Sequence, residues 1–199
     1  ELPRDVILIP IDEGLVSLRG LSPQRLRFEI EYGLERGTTA NSFLINSKSN
    51  SQNTYQSAVL IHPPGEKFSQ AFLPALAKQL PPETKDLIVI VGHVNPNRIS
   101  LLRELTAIYP GIKLICSIPG AKLLKDMWSQ QKPTRITNNP VPETIIPPIP
   151  ELILVKDQRT IQVGNGYQLQ LIPAPTARWP GGLLAFEKKI GLLMSDKFF

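Results

Sequence analysis

The stretch Gly92-His93-Val94-Asn95-Pro96-Asn97-Arg98 holds the residues of this chain best spaced for chemistry. Histidine, asparagine, asparagine and arginine stand at positions 93, 95, 97 and 98, a spacing at which metal-binding turns carry histidines and carboxylates. Hard metal ions need anionic oxygen donors and neutral imidazoles. An asparagine oxygen is a neutral donor, and an arginine has no lone pair to give and stays protonated. The spacing is that of a metal site, and the side chains suit a carboxylate or a small anion instead.

The turn must be held by the elements on either side of it. Residues 87–91 are a continuous apolar run that reads as a buried strand, and residues 98–109 place Ile99, Leu102, Leu105 and Ile108 at helical spacing before Pro110-Gly111 ends the pattern. The turn therefore lies at the carboxyl end of a strand, where sites collect in α/β proteins. Similar reading gives strands over 58–61 and 113–117 and helices over 68–80 and 119–128, the first of these helices stopped by Pro81-Pro82. Strand and helix alternate through the middle of the chain, which predicts a mixed α/β fold with helices packed on a sheet.

Before that region the expected elements are short strands over 6–10 and 15–18, a half-buried strand over 25–32, a hydroxyl-rich turn over 36–42, a strand over 43–45 and a polar loop over 46–56. After it, six prolines between Pro133 and Pro150 suggest an extended surface segment. The pattern then changes to strands over 152–155, 160–163, 168–172, 183–186 and 189–194, with hairpin-turn chemistry at Asp157-Gln158-Arg159 and Gly164-Asn165-Gly166. The glycine-rich turn is no phosphate loop, because strands flank it on both sides and no helix N-terminus follows.

Composition sets the remaining bounds. A chain of 199 residues with 42% hydrophobic content can bury a substantial core. Its one cysteine, Cys116, excludes an internal disulfide framework, and no apolar run reaches the roughly 18 residues of a membrane span. Cytoplasm is the expected compartment. The net charge is +5, yet Lys and Arg are interspersed with Asp and Glu, so a solvated surface explains it better than nucleic-acid binding.

Further along, the chain resembles the metallo-β-lactamase-like domain of flavodiiron proteins, especially the cyanobacterial diflavin type. The resemblance runs through Phe28-Glu29-Ile30-Glu31-Tyr32-Gly33-Leu34, Gly37-Thr38-Thr39-Ala40-Asn41-Ser42-Phe43-Leu44-Ile45 and the Gly92 turn. It continues through residues 114–124 and 163–175. Ala177-Arg178-Trp179-Pro180-Gly181 is similar to the family's His-Trp-Pro-Asp motif and Met194-Ser195-Asp196-Lys197-Phe198 to its bridging-aspartate motif. The resemblance implies an αββα sandwich over residues 1–199 and a non-haem diiron site that reduces dioxygen, or in some members nitric oxide. Electrons come from reduced pyridine nucleotide, NAD(P)H, through FMN, with FAD a further candidate. Those flavins belong to flavodoxin-like and flavin reductase domains that do not fit in this chain. The chain stops just after Asp196, before the family's last metal-ligand histidine, so the expectation is a domain incomplete at its C-terminus.

Carried over position by position, His93 matches the family's first histidine and Asp196 its bridging aspartate. Asn95 stands for the glutamate, Asn97 for the aspartate, Arg98 for a histidine and Arg178 for the histidine of the Trp-Pro motif. These changes add about four units of positive charge and remove the donors that iron needs. The expectation is a lost diiron centre, with either an arginine–Asp196 salt bridge or an anion pocket in its place. The protein then acts within an oxygen-reducing system, or as a scaffold pairing with itself or with a metal-competent paralogue.

Other reactive side chains have ordinary readings. His62 precedes Pro63-Pro64 and reads as a loop histidine with a structural hydrogen bond, Cys116 as a core residue, Ser195 as a strand-end serine, and Trp128 and Trp179 as packing residues.

Overall fold

Strand β7 (Asp86–Ile90) shows how the molecule is layered. Successive side chains of a strand point to opposite faces. Leu87 and Val89 enter one core cluster with the helices, while Ile90 enters a second cluster with another sheet, and Ile88 packs against it. Strands β6 (Tyr55–Ile61) and β8 (Lys113–Ser117) divide their residues in the same way, Leu60 and Leu114 to the helical side, Ile61 and Ile115 to the other. Burial on both faces is why these strands read as unbroken apolar runs.

The computed structural model describes residues 4–23, 27–28, 32–33, 37–48, 55–80, 84, 86–130 and 146–198. Much of the 28–34 signature and of the proline-rich 133–150 segment lies outside them.

Seven strands form the first sheet in the order β1-β2-β5-β6-β7-β8-β9. Here β1 is Asp5–Asp12, β2 is Leu15–Ser22, β5 is Thr38–Lys48 and β9 is Glu151–Val155. The strands β1, β2, β5 and β6 pair antiparallel, and β6 to β9 pair parallel. Parallel neighbours need crossovers. Helix α1 (Ser69–Gln79) provides one and α2 (Pro96–Ile108) the next, while α3 (Ile118–Trp128) follows β8 directly. Their apolar stripes, Phe72-Ala75-Leu76, Ile99-Leu102-Leu105 and Ala121-Leu124-Trp128, all enter the helical-side core.

A second, antiparallel sheet in the order β10-β11-β12-β13 covers the opposite face. Its strands are Arg159–Gln162, Gln168–Pro173, Leu183–Glu187 and Leu192–Met194. Tyr167, Leu169, Leu171, Leu183, Ala185 and Met194 pack on Ile45, Ile61, Ile90 and Val155 of the first sheet. Helices, first sheet and second sheet stack in that order, which among the described residues gives three of the four layers of an αββα sandwich.

Several elements differ from the sequence expectation. The hydroxyl-rich residues 38–42 are the start of β5, not a turn, because they pair with β2 from Ser22↔Thr38 to Leu18↔Ser42. In place of the single strand expected over 25–32, Arg27–Phe28 (β3) pairs antiparallel with Tyr32–Gly33 (β4), which runs one residue past that stretch. The turn at Asp157-Gln158-Arg159 makes no hairpin: it passes the chain from β9 in the first sheet to β10 in the second. Gly164-Asn165-Gly166 does connect an antiparallel pair, β10 and β11, with Asn165 at φ 61°.

Candidate functional site

Beyond the carboxyl ends of β6 and β7, three loops converge on Gly92. His62 follows β6, the 92–95 turn follows β7, and Asp196 follows β13. The sheets are tied here by the backbone, Leu183 N–H donating to the Gly92 carbonyl at 2.9 Å. Glycine at 92 is required by space. A Cβ there would stand 2.5 Å from Asp196 Oδ2 and 2.6 Å from His62 Nδ1.

Helix α2 presents the arginine. Asn95 is its N-cap, accepting the Arg98 backbone N–H on Oδ1 at 2.8 Å, and Pro96 occupies the first turn, where a missing N–H costs nothing. Arg98, one turn in, aims back over the start of its own helix. Its Nη1 donates to Asp196 Oδ2 at 2.6 Å and its Nη2 to Asp196 Oδ1 at 3.0 Å, a two-pronged pair. Nη1 also donates to the His93 carbonyl at 3.1 Å. Arg98 and Asp196 side chains are only 6% and 7% exposed, so water screens the pair little.

His93 completes the cluster. Its Nδ1 lies 2.8 Å from Asp196 Oδ2 and its Nε2 lies 3.0 Å from Asn95 Nδ2. Burial, and then the Arg98 charge, push its pKa down to about 4, so the imidazole is neutral at pH 7. Burial by itself would raise the Asp196 carboxyl, but Arg98 and the His93 hydrogen bond outweigh it and hold the group well below the usual carboxylate range. The Trp179 and His93 rings meet edge to face, with centroids 4.8 Å apart and planes at 64°.

The remaining expected positions fall elsewhere. Asn97 is exposed and packs beside Gly65. Arg178 is exposed, with its guanidinium 5.8 Å from the Trp179 ring centroid. The buried group of Arg98, Asp196 and two neutral histidines is therefore formally neutral, and the added positive charge of Arg178 lies at the surface.

His62 is the neighbour that sequence reasoning left out of the site. It is fully buried at φ 55°, its Nε2–H donates to the Met194 carbonyl at 3.0 Å, and its own carbonyl accepts the Ser42 hydroxyl at 2.9 Å. Burial holds its pKa below the ordinary value. The structural hydrogen bond was legible from a histidine before two prolines, but its contact with Gly92 is made across the fold. Cys116 is a buried core residue, raised by burial to about 11, and Trp128 is a core residue whose indole donates to the Pro147 carbonyl at 2.8 Å.

These residues do not fit iron. Both Asp196 oxygens are held by a fixed cation, and Arg98 cannot give up its charge to become a ligand. Among the described residues, no group of three or more His, Cys, Asp or Glu side chains is placed to hold a metal ion.

No family model matches the chain. A crystal structure of diflavin flavoprotein A 5 from Nostoc sp. PCC 7120, fragment 1-254, superposes with a TM-score of 0.76 at 34% identity, over 99% of this chain and 67% of that one. The chain belongs to the diflavin flavoprotein A family of flavodiiron proteins. Diflavin flavoprotein A 6 of Nostoc is 39% identical over 99% of this chain, which spans 30% of that relative's length. A metal-soaked flavodiiron core from Synechocystis sp. PCC6803 gives a TM-score of 0.75 at 33% identity, covering 94% of this chain and 40% of its own. The αββα sandwich is thus the flavodiiron metallo-β-lactamase-like fold. Among the described residues, no helix is long and apolar enough to cross a membrane.

Proposed function

We propose that residues 1–199 are the metallo-β-lactamase-like domain of a diflavin flavoprotein that passes electrons from NAD(P)H through flavin to dioxygen, and that the diiron centre's place is taken by a guanidinium–carboxylate cluster. The two-pronged Arg98–Asp196 pair carries this reading. A tethered cation sits on the carboxylate that matches the family's bridging aspartate, and His93 is tied to the same oxygen. Arg98 neutralises Asp196, His93 orients it, His62 anchors the strand that leads to it, and Trp179 closes over His93.

The centre performs no redox chemistry of its own. Oxygen reduction in the assembly then falls to a metal-competent flavodiiron paralogue, with this chain as the metal-free partner in a cytoplasmic oligomer. FMN and FAD are held by domains outside these residues. An anion at the centre has less support, since the buried cation is already neutralised by Asp196.

Oxygen uptake driven by NAD(P)H tests this reading in the full-length protein. Uptake is expected only after mixing with a metal-competent relative. Uptake by the purified protein alone, in proportion to its concentration, overturns the proposal.

A further inference from the structure

Resting on that reading, the hydrogen bonds around His93 also fix which of its ring nitrogens carries the proton. Asn95 Oδ1 is committed to the Arg98 backbone N–H as the helix cap, so the side chain is fixed in one orientation and its Nδ2–H faces His93 Nε2. An amide nitrogen only donates, so Nε2 must accept. A neutral imidazole carries one ring proton, which is left on Nδ1 and directed to Asp196 Oδ2.

Arg98 leaves that assignment undisturbed. Its Nη1 has two hydrogens, and acceptors stand ready for both at Asp196 Oδ2 and the His93 carbonyl. The 2.7 Å approach of Nη1 to His93 Nδ1 is then a contact imposed by their shared acceptor, with no proton between them. Neither ring nitrogen has a lone pair to spare.

We infer that metal is excluded by two separate devices: Arg98, which occupies Asp196, and Asn95, a positioning residue whose cap geometry fixes His93 as the Nδ1–H tautomer with Nε2 engaged. The second device is invisible in a tally of lost ligands. His93 matches the family's histidine in type, yet it is barred by a neighbour two residues away.

Nitrogen-15 NMR of histidine-labelled full chain reads the tautomer directly. The wild type is expected to show His93 protonated at Nδ1, and Asn95→Asp, which keeps the cap but replaces the amide donor by an acceptor, is expected to place a proton on Nε2. A wild-type Nε2–H tautomer, or a ring unchanged by Asn95→Asp, overturns the inference. Cobalt(II) titration supplies a second arm. Arg98→His is expected to bind at least about tenfold more weakly than Asn95→Ser/Arg98→His, where serine keeps the cap and adds no carboxylate. Equal affinities contradict a role for Asn95. Iron in the native protein would sink the proposed function, whereas the tautomer tests Asn95 alone.

Discussion

Removing the Arg98 side chain leaves Asp196 buried and unpaired, and a lone buried charge is far costlier than a missing pair. Arg98→Ala should therefore lower stability by about 3–5 kcal/mol in urea denaturation. A loss under about 1 kcal/mol would mean that the pair is a bystander. The histidine beside it makes the fold sensitive to acid. The folded pKa of His93 is about 4, below the ordinary histidine value of 6.5, so between these pH values the unfolded chain binds a proton that the folded chain refuses. Its contribution is complete above pH 6.5 and is lost as pH falls towards 4, in total about 3 kcal/mol. His62 and Asp196, both held below their ordinary values, act in the same direction. Urea midpoints should fall steadily from pH 7 to pH 4, and His93→Gln should flatten part of that slope; a midpoint independent of pH contradicts the assignment. The family resemblance singles out Arg98 and Asp196 from sequence, and a salt bridge from an arginine to Asp196 is one of two expectations for the centre. Which arginine makes it, and the two-pronged geometry across 98 positions, come only from the fold.

The turn after β7 works because a strand end, a glycine and a helix cap follow one another. Gly92 clears the space in which His62 and Asp196 meet, and Asn95 with Pro96 starts α2 at the angle that returns Arg98 to them. Gly92→Ala should push the Asp196 carboxylate off Arg98 and cost about 1–3 kcal/mol, the usual penalty for overpacking; a crystal structure with the pair intact at 2.6–3.0 Å would refute that. This element was legible because its apolar run and helical periodicity are local. Residues 38–42 were not: Thr38, Thr39, Asn41 and Ser42 have the composition of a turn, and only pairing with β2 makes them a strand. The turn at 157–159 failed as a hairpin for a similar reason. Turn chemistry bends the chain, but the sheet that the next strand joins depends on which apolar face must be covered. Ile153 and Val155 pack between the sheets from the first, and Ile161 does so from the second.

Across the whole molecule, the cluster ties the second sheet to the ends of β6 and β7 through side chains alone. Asp196 is held by Arg98 and His93, and the Met194 carbonyl by His62, so the last strand is fastened from three side chains. A chelator should leave the melting temperature of the protein unchanged, whereas a drop of several degrees would reveal a structural metal. The layered fold was readable from alternating strands and helices together with the family resemblance, while the neutrality of the centre was not. Counting substitutions placed every added charge inside it, but the structure sets Arg178 at the surface and pairs Arg98 with Asp196. The most direct test of a metal-free centre is iron analysis of the full-length protein after anaerobic incubation with excess ferrous ion and desalting. A content well below one iron per chain is the predicted result, and a content near two per chain would contradict the account.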